Sequence, residues 1–128
     1  MPEAVNEVTG KPIPDSILVP WGKVGTHFDY KAASSEFQEA MSVAKDKTVD
    51  LSKLIPSEFF VKKSRIQLII KNFDPNLLTK SPAGNTMPSR VVKYKGNLYI
   101  HDGHHRLSSL KLMGKKSAVV RFIDMDNK

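Results

Sequence analysis

A chain of 128 residues, 40% hydrophobic and 26% charged, has room for one packed domain and not for two. It contains no cysteine, which removes disulfides, thiol catalysis and cysteine metal sites and suits a cytosolic setting. No run of about 18 apolar residues offers a membrane span, and the opening MPEAVNEVTGKPIPDS lacks the basic start and apolar stretch of a secretory signal.

The net charge of +7 is unevenly spread: residues 1–59 carry 6 basic and 9 acidic side chains, and residues 60–128 carry 14 and 4. A basic half of this kind faces an anionic partner such as nucleic acid or a nucleotide, with a solvated face as the plainer alternative.

Residues 1–16 are polar with three prolines and predict an extended or disordered lead-in. Residues 17–48 form an N-terminal segment with one helix. Within it, SILVPWGKV (16–24) is an edge strand at best because of its proline. In SSEFQEAMSVAK, Ser35 with Gln38 makes a capping-box pattern. Phe37, Ala40, Met41 and Ala44 keep helical spacing, so a helix is expected over 36–45.

A domain is expected over 49–128. VDLSKLIP (49–56) alternates like a strand and stops at Pro56. Ser64 and Gln67 repeat the capping-box pattern, and Ile66, Ile69, Ile70 and Phe73 make one buried stripe on a helix of about 65–72. Residues 74–89 are rich in Pro, Gly, Asn and Ser and predict a loop. RVVKYKGNLYIH predicts a hairpin turning at Lys95-Gly96-Asn97. A helix over 104–113 follows, burying Leu107, Leu110 and Met113 and stopping at Gly114, and SAVVRFID (117–124) closes as a strand. The fold class is thus α+β: a small domain with a mixed sheet and packed helices, not a clean βαβ repeat.

The stretch YIHDGHHRLSSLKLMG, residues 99–114, gathers three histidines, an aspartate and an arginine where a strand becomes a helix. A helix start presents unpaired N–H groups and partial positive charge, Gly103 allows close backbone approach, and Arg106 can grip an anion in bidentate fashion. His104 and His105 can donate hydrogen bonds or act as acid and base near neutral pH. The pattern suits phosphate. Each residue also has a plainer reading: Asp102 as the helix N-cap, Arg106 as a surface arginine, the histidines as solvent-exposed and idle. No zinc is expected, because His101 and His105 are separated by the turn and neither an HExxH pattern nor a cysteine adds ligands. A Mg²⁺ held by Asp102 together with bound phosphate asks for less.

The same stretch, with its flanks YIHDGHHRLSSLKLMGKKSAVVRFI, VDLSKLIPSEFF and MPSRVVKYKGNLYIHDG, resembles the ParB/sulfiredoxin superfamily over about residues 49–124, and within it the ParB-like nuclease branch. That superfamily contains CTP-binding chromosome-partitioning proteins, free-serine kinases, sulfiredoxins and nucleases. The resemblance implies that Gly103, His104, His105 and Arg106 form a phosphate cradle. Sulfiredoxin chemistry needs a cysteine where this chain has His104. The partitioning proteins carry Gly-Glu-Arg-Arg here and a following helix-turn-helix, for which a chain ending at Lys128 leaves no room. Kinase-like members use a carboxylate base from elsewhere, and Glu58 is the one acidic residue between Asp50 and Asp74.

The resulting expectation is a ParB-like phosphate-recognising domain acting on nucleic acid, most concretely a nuclease. Asp102, His104, His105, Arg106 and Glu58 are the candidate catalytic residues. Gly103, His104, His105, Arg106 and Ser108 are the candidate phosphate-binding residues, and Lys62, Lys63, Arg90, Lys115 and Lys116 would hold the nucleic-acid backbone. Mg²⁺ or Mn²⁺, with Asp102 as a ligand, and a nucleoside triphosphate are the expected cofactors. The alternatives are a non-hydrolytic CTP-, ATP- or DNA-binding module and an NTP-dependent small-molecule kinase with Glu58 as base. Nucleic acid, most concretely DNA, or a nucleotide is the expected partner, no membrane is expected, and residues 1–48 are left for a protein partner. The expected location is the cytoplasm of a bacterium or a phage-infected cell.

Overall fold

In the computed structural model, which describes residues 3–6, 8–22, 24–25, 34–75 and 88–126, the alternating C-terminal segments build a five-stranded sheet. Its strands are β3 (Lys45–Asp50), β4 (Leu54–Ile55), β6 (Arg90–Tyr94), β7 (Asn97–Asp102) and β8 (Ser117–Asp124). They are ordered β3-β8-β6-β7-β4. The β3–β8 and β6–β7 pairs are antiparallel, and β6–β8 and β4–β7 are parallel, so the sheet is mixed.

Adjacent strand residues point to opposite faces. Val91 accordingly joins Leu54, Ile100, Ala118 and Val120 on one face, and Val92 joins Ile123 and Met125 on the other. The second face is covered by Phe37 and Ala40 of helix α1 (Ser35–Ser42). The first is covered by Leu107 and Leu110 of helix α3 (His104–Leu112). The expected hairpin turns at Lys95 and Gly96, both with positive φ (50° and 78°), as a two-residue primed turn requires. Asp126 accepts both of their N–H groups.

Helix α3 is not the one-sided amphipathic helix expected. Leu112 turns away from the large sheet to pack with Ile66 and Ile70 of helix α2 (Lys63–Lys71), and Met113 is only half-buried. Ser108 and Ser109 are fully buried, and such small side chains let both neighbours approach closely. The helix ends as expected at Gly114. Lys115 N–H donates to Leu110 O and Gly114 N–H to Lys111 O, the paired bonds of a Schellman motif.

A second, three-stranded sheet lies beyond α2, ordered β1 (Glu3–Val5), β2 (Pro12–Leu18), β5 (Phe60–Lys62). Of residues 1–16, Glu3–Val5 and residues 12–16 are extended, paired strand, and one expectation is corrected: the 16–24 segment contributes to the central strand of its sheet and not to an edge. Pro12 is tolerated because it opens β2. Ile17, Val61 and Ile66 then make a core of their own beneath α2.

Three local boundaries also move. Strand β3 begins at Lys45, so the division expected at 48/49 falls inside a strand. The expected strand 49–56 is interrupted by a 3-10 turn at Leu51–Lys53, where Asp50 accepts Ser52 N–H (2.9 Å). Helix α1 is capped by Ser34, whose hydroxyl accepts Phe37 N–H, not by Ser35. Most of the expected 74–89 loop lies outside the described residues.

The second capping box is replaced by a long-range cap. The residue before α2, Lys62, has no side-chain cap bond; Asp15 of β2 accepts both the N–H and the hydroxyl of Ser64, at 2.8 and 2.6 Å. These two bonds hold the Asp15 carboxyl below its usual range. Asp15→Ala is therefore expected to lower the melting temperature at pH 7 by about 4 °C, the order a lost helix cap produces. Because the folded pKa lies below the ordinary 3.8, this stabilisation is present above that pH and is lost as pH falls through the lower, folded value. Equal melting of parent and variant at pH 7 contradicts the cap.

Candidate functional site

The site is built where β7 runs into α3. The turn residue Gly103 has φ 94° and ψ 27°, a left-handed conformation that glycine adopts without strain. It is also the residue preceding the helix, and no side chain caps that end. Asp102 is thus not the N-cap; its carboxylate accepts Gly103 N–H instead (2.9 Å). The first-turn N–H groups of α3 have no acceptor within the helix, because the intrahelical ladder starts with Leu107 N–H to Gly103 O. This donor end opens into a cleft of about 490 Å³ lined by Glu58, Arg65, Ile69, Pro88, Ser89 and residues 101–106.

Two histidines in the first turn of α3 are tied to the neighbouring chain segment. Ser57 N–H donates to His104 Nε2 and Lys62 N–H donates to His105 Nε2, both at 3.0 Å. A nitrogen that accepts a backbone N–H carries no proton, so each ring is neutral with its hydrogen on Nδ1. Burial pushes all three histidines, His101, His104 and His105, below their usual value of 6.5. At His104 the nearby Glu58 and Asp102 oppose that shift without cancelling it. His104 is 5% exposed, and its Nδ1 lies 3.9 Å from Glu58 Oε2. As placed, neither ring can take up a proton at Nε2 without breaking a backbone hydrogen bond, and both are suited to donate from Nδ1.

The charges are set around that floor. Arg106, in the first turn of α3, is half-buried; burial draws its guanidinium below the usual value, Asp102 opposes this and Arg65 adds to it. Arg65 is exposed on α2 and faces the same cleft. Two guanidinium groups close enough to disfavour each other, at a helix start that already carries partial positive charge, make a place for an anion. His101 lines the cleft and also meets the Phe37 ring, 5.2 Å between centroids, so α1 packs against the wall of the site.

Six of the expected residues come together here: Glu58, Asp102, Gly103, His104, His105 and Arg106. The others are distributed elsewhere. Lys62 and Lys63 lie at the start of α2, Lys62 beside His105 through its backbone N–H. Arg90 opens β6 opposite Asp102 but does not line the cleft. Lys115 and Lys116 sit beyond the other end of α3, about 13 Å along the helix. Ser108 is fully buried and faces no part of the cleft.

Arg65 and Ser89 are cleft residues that the sequence reading missed. Arg65 was hidden among the basic side chains of KKSR, although it precedes the buried Ile66 by one position on α2. Ser89 carried no signal, because only the folding of β6 against the turn places it under Gly103. Among the described residues no three His, Asp or Glu side chains converge as a metal cage. Asp102 is still a carboxylate on the cleft, and one such ligand suits a Mg²⁺ or Mn²⁺ held mainly by water and phosphate oxygens.

No protein-family model matches the chain, and no curated protein matches it at a significant level. Among solved structures it is similar to a conserved hypothetical protein from Pyrococcus furiosus, with 23% identity and a TM-score of 0.50 over 64% of this chain. The match spans 33% of that protein, about a third of its length, and the likeness is one of fold. A sulfiredoxin from Arabidopsis thaliana aligns with 61% of this chain and 83% of its own, at 14% identity and a TM-score of 0.45.

Proposed function

We propose that the cleft binds a phosphate group, and that the protein is a ParB-like phosphate-recognising domain acting on nucleic acid, with phosphodiester hydrolysis as its reaction. The observation that carries this reading is the convergence of Arg65 and Arg106 on the uncapped donor end of α3. The resemblance of the DGHHR stretch to the ParB-like nuclease branch agrees with it.

In this reading Arg106, the first-turn N–H groups and the Nδ1–H donors hold the phosphate oxygens and the charge that builds on them. Glu58, exposed at the cleft mouth, takes the proton of the attacking water, whose oxygen forms the new bond to phosphorus while the sugar oxygen leaves. Asp102, with phosphate and water oxygens, would hold a Mg²⁺ or Mn²⁺ ion, which would supply Lewis-acid stabilisation of the phosphate when bound. Lys62 and Lys63 draw the backbone toward the cleft. The backbone ties of His104 and His105 favour a second reading, a non-hydrolytic CTP-, ATP- or DNA-binding module, because they leave the histidines as holders and not as proton carriers.

The two readings separate with supercoiled DNA, single-stranded DNA and RNA incubated with Mg²⁺, Mn²⁺ or chelator. Arg106→Ala is expected to weaken oligonucleotide binding at least about tenfold, the scale of a charge-assisted contact. Glu58→Gln is expected to keep binding and abolish cleavage. Binding without turnover by the parent supports the module. ADP formation from ATP only when a hydroxyl compound is present marks the kinase. Equal binding by parent and Arg106→Ala removes the cradle from all of these readings.

A further inference from the structure

Among the described residues, two serine hydroxyls are buried with no hydrogen-bond partner, Ser89 Oγ and Ser108 Oγ. A buried hydroxyl left unpaired costs free energy, so each calls for a reason. Only one of them belongs to a residue that lines the cleft. Ser89 is 3% exposed and lines the cleft floor, whereas Ser108 lies inside α3 and lines no part of it. The position of Ser89 is fixed from behind, since its carbonyl accepts Arg121 N–H of β8 at 2.8 Å. A Cβ on Gly103 would stand 2.7 Å from Ser89 Cβ, so the serine lies directly against the turn that opens α3. The unpaired hydroxyl, the uncapped helix start and the glycine that admits a ligand to it therefore share one spot.

We propose that Ser89 is a ligand-binding residue of this cleft, its hydroxyl donating to an oxygen of the bound phosphate beside Gly103. The inference rests on the phosphate reading above and adds a contact which neither the motif nor the resemblance contains. The ligand supplies the missing acceptor, so the hydroxyl is a cost in the empty protein and a gain in the complex. Ser108 provides the internal control, being equally buried and equally unpaired on the helix whose start forms the site.

The test compares the parent, Ser89→Ala, Ser108→Ala and Arg106→Ala in two measurements: melting of the free protein, and calorimetric titration with inorganic pyrophosphate. Both serine variants are expected to melt at or above the parent temperature, because each loses an unpaired buried hydroxyl. Ser108→Ala is expected to bind pyrophosphate like the parent. Ser89→Ala is expected to bind at least about tenfold more weakly, the loss of one hydrogen bond to a charged oxygen. If Ser89→Ala binds as tightly as the parent while Arg106→Ala does not, the Ser89 assignment falls and the cradle stands. If the parent does not bind, or binds no better than Arg106→Ala, both fall together.

Discussion

Gly103→Ala is expected to destabilise the protein by about 3 kcal/mol, from two separable sources. The first is the backbone. At φ 94° an L-residue is strained, and leaving glycine there costs about 1–2 kcal/mol. The second is packing: the new methyl would stand 2.7 Å from Ser89 Cβ and 3.0 Å from Ser89 Cα, closer than carbon atoms approach. Ser89 is held by β8 and cannot retreat freely, so an overpacking cost of about 1–3 kcal/mol is added. For a chain of this size the sum amounts to about 10 °C in melting temperature, measurable by calorimetry or urea titration. Adding Ser89→Gly to Gly103→Ala is expected to recover most of the packing part, since only the approach to Cα at 3.0 Å remains, and to leave the backbone part. A drop under about 2 °C for Gly103→Ala shows that the turn is not constrained as described. Gly114 gives the contrast: its φ is 81°, but nothing lies within 4 Å of its Cβ position, so Gly114→Ala carries only the backbone cost.

The same two glycines show how far the sequence could be read. Gly114 follows a helical run, and helices end in that way for local reasons, so its role was legible. The hairpin at Lys95-Gly96 was legible on the same grounds, and so was Gly103 as a turn before a helix. The reason Gly103 must stay glycine was not legible, because it comes from Ser89, fourteen positions earlier and brought there by sheet pairing. Long-range caps behave alike: Ser64 looked like a local cap, yet it serves as the donor to Asp15, 49 positions away. The pairing of the N-terminal strands was missed for a related reason. Their prolines and polar residues carry little strand signal of their own, and pairing of Ile17 with Val61 supplies it. The pattern of α3 misled in its own way, since a helix buried on two sides has no single apolar stripe to read.

The cleft residues divide along that line. Asp102, Gly103, His104, His105 and Arg106 are contiguous, so a motif could reveal them. Glu58 and Arg65 come from the loop and helix that the first-turn histidines fasten to α3. Those fastenings, Ser57 N–H to His104 and Lys62 N–H to His105, are what make one cleft of two chain segments. The histidines thus build the site before they touch any ligand, and their sequence gives no hint of this, because a histidine beside a helix start reads first as chemistry.

His104→Ala is expected to cost about 3 kcal/mol at pH 8, since it opens a gap where a 5% exposed side chain stood and leaves the Ser57 N–H without its acceptor. His104→Gln, whose carbonyl oxygen can take over as acceptor, is expected to cost less. The pH dependence has a definite sign. Burial lowers the folded-state pKa of His104, His101 and His105 below 6.5, so the unfolded chain binds protons first as pH drops. Stability is then fully present above about pH 6.5 and declines as pH falls from there toward the lowered folded values. Protonated His104 would turn an Nε2–H toward the Ser57 N–H, donor against donor, which is the structural form of that decline. Urea titrations of the parent at pH 8, 6.5 and 5 are expected to show progressive loss. The His104→Gln variant is expected to show a shallower loss, with His101 and His105 retaining part of the slope. An unchanged slope in His104→Gln excludes His104 as the titrating lock. A parent more stable at pH 5 than at pH 8 excludes all three histidines from holding the cleft in their neutral form.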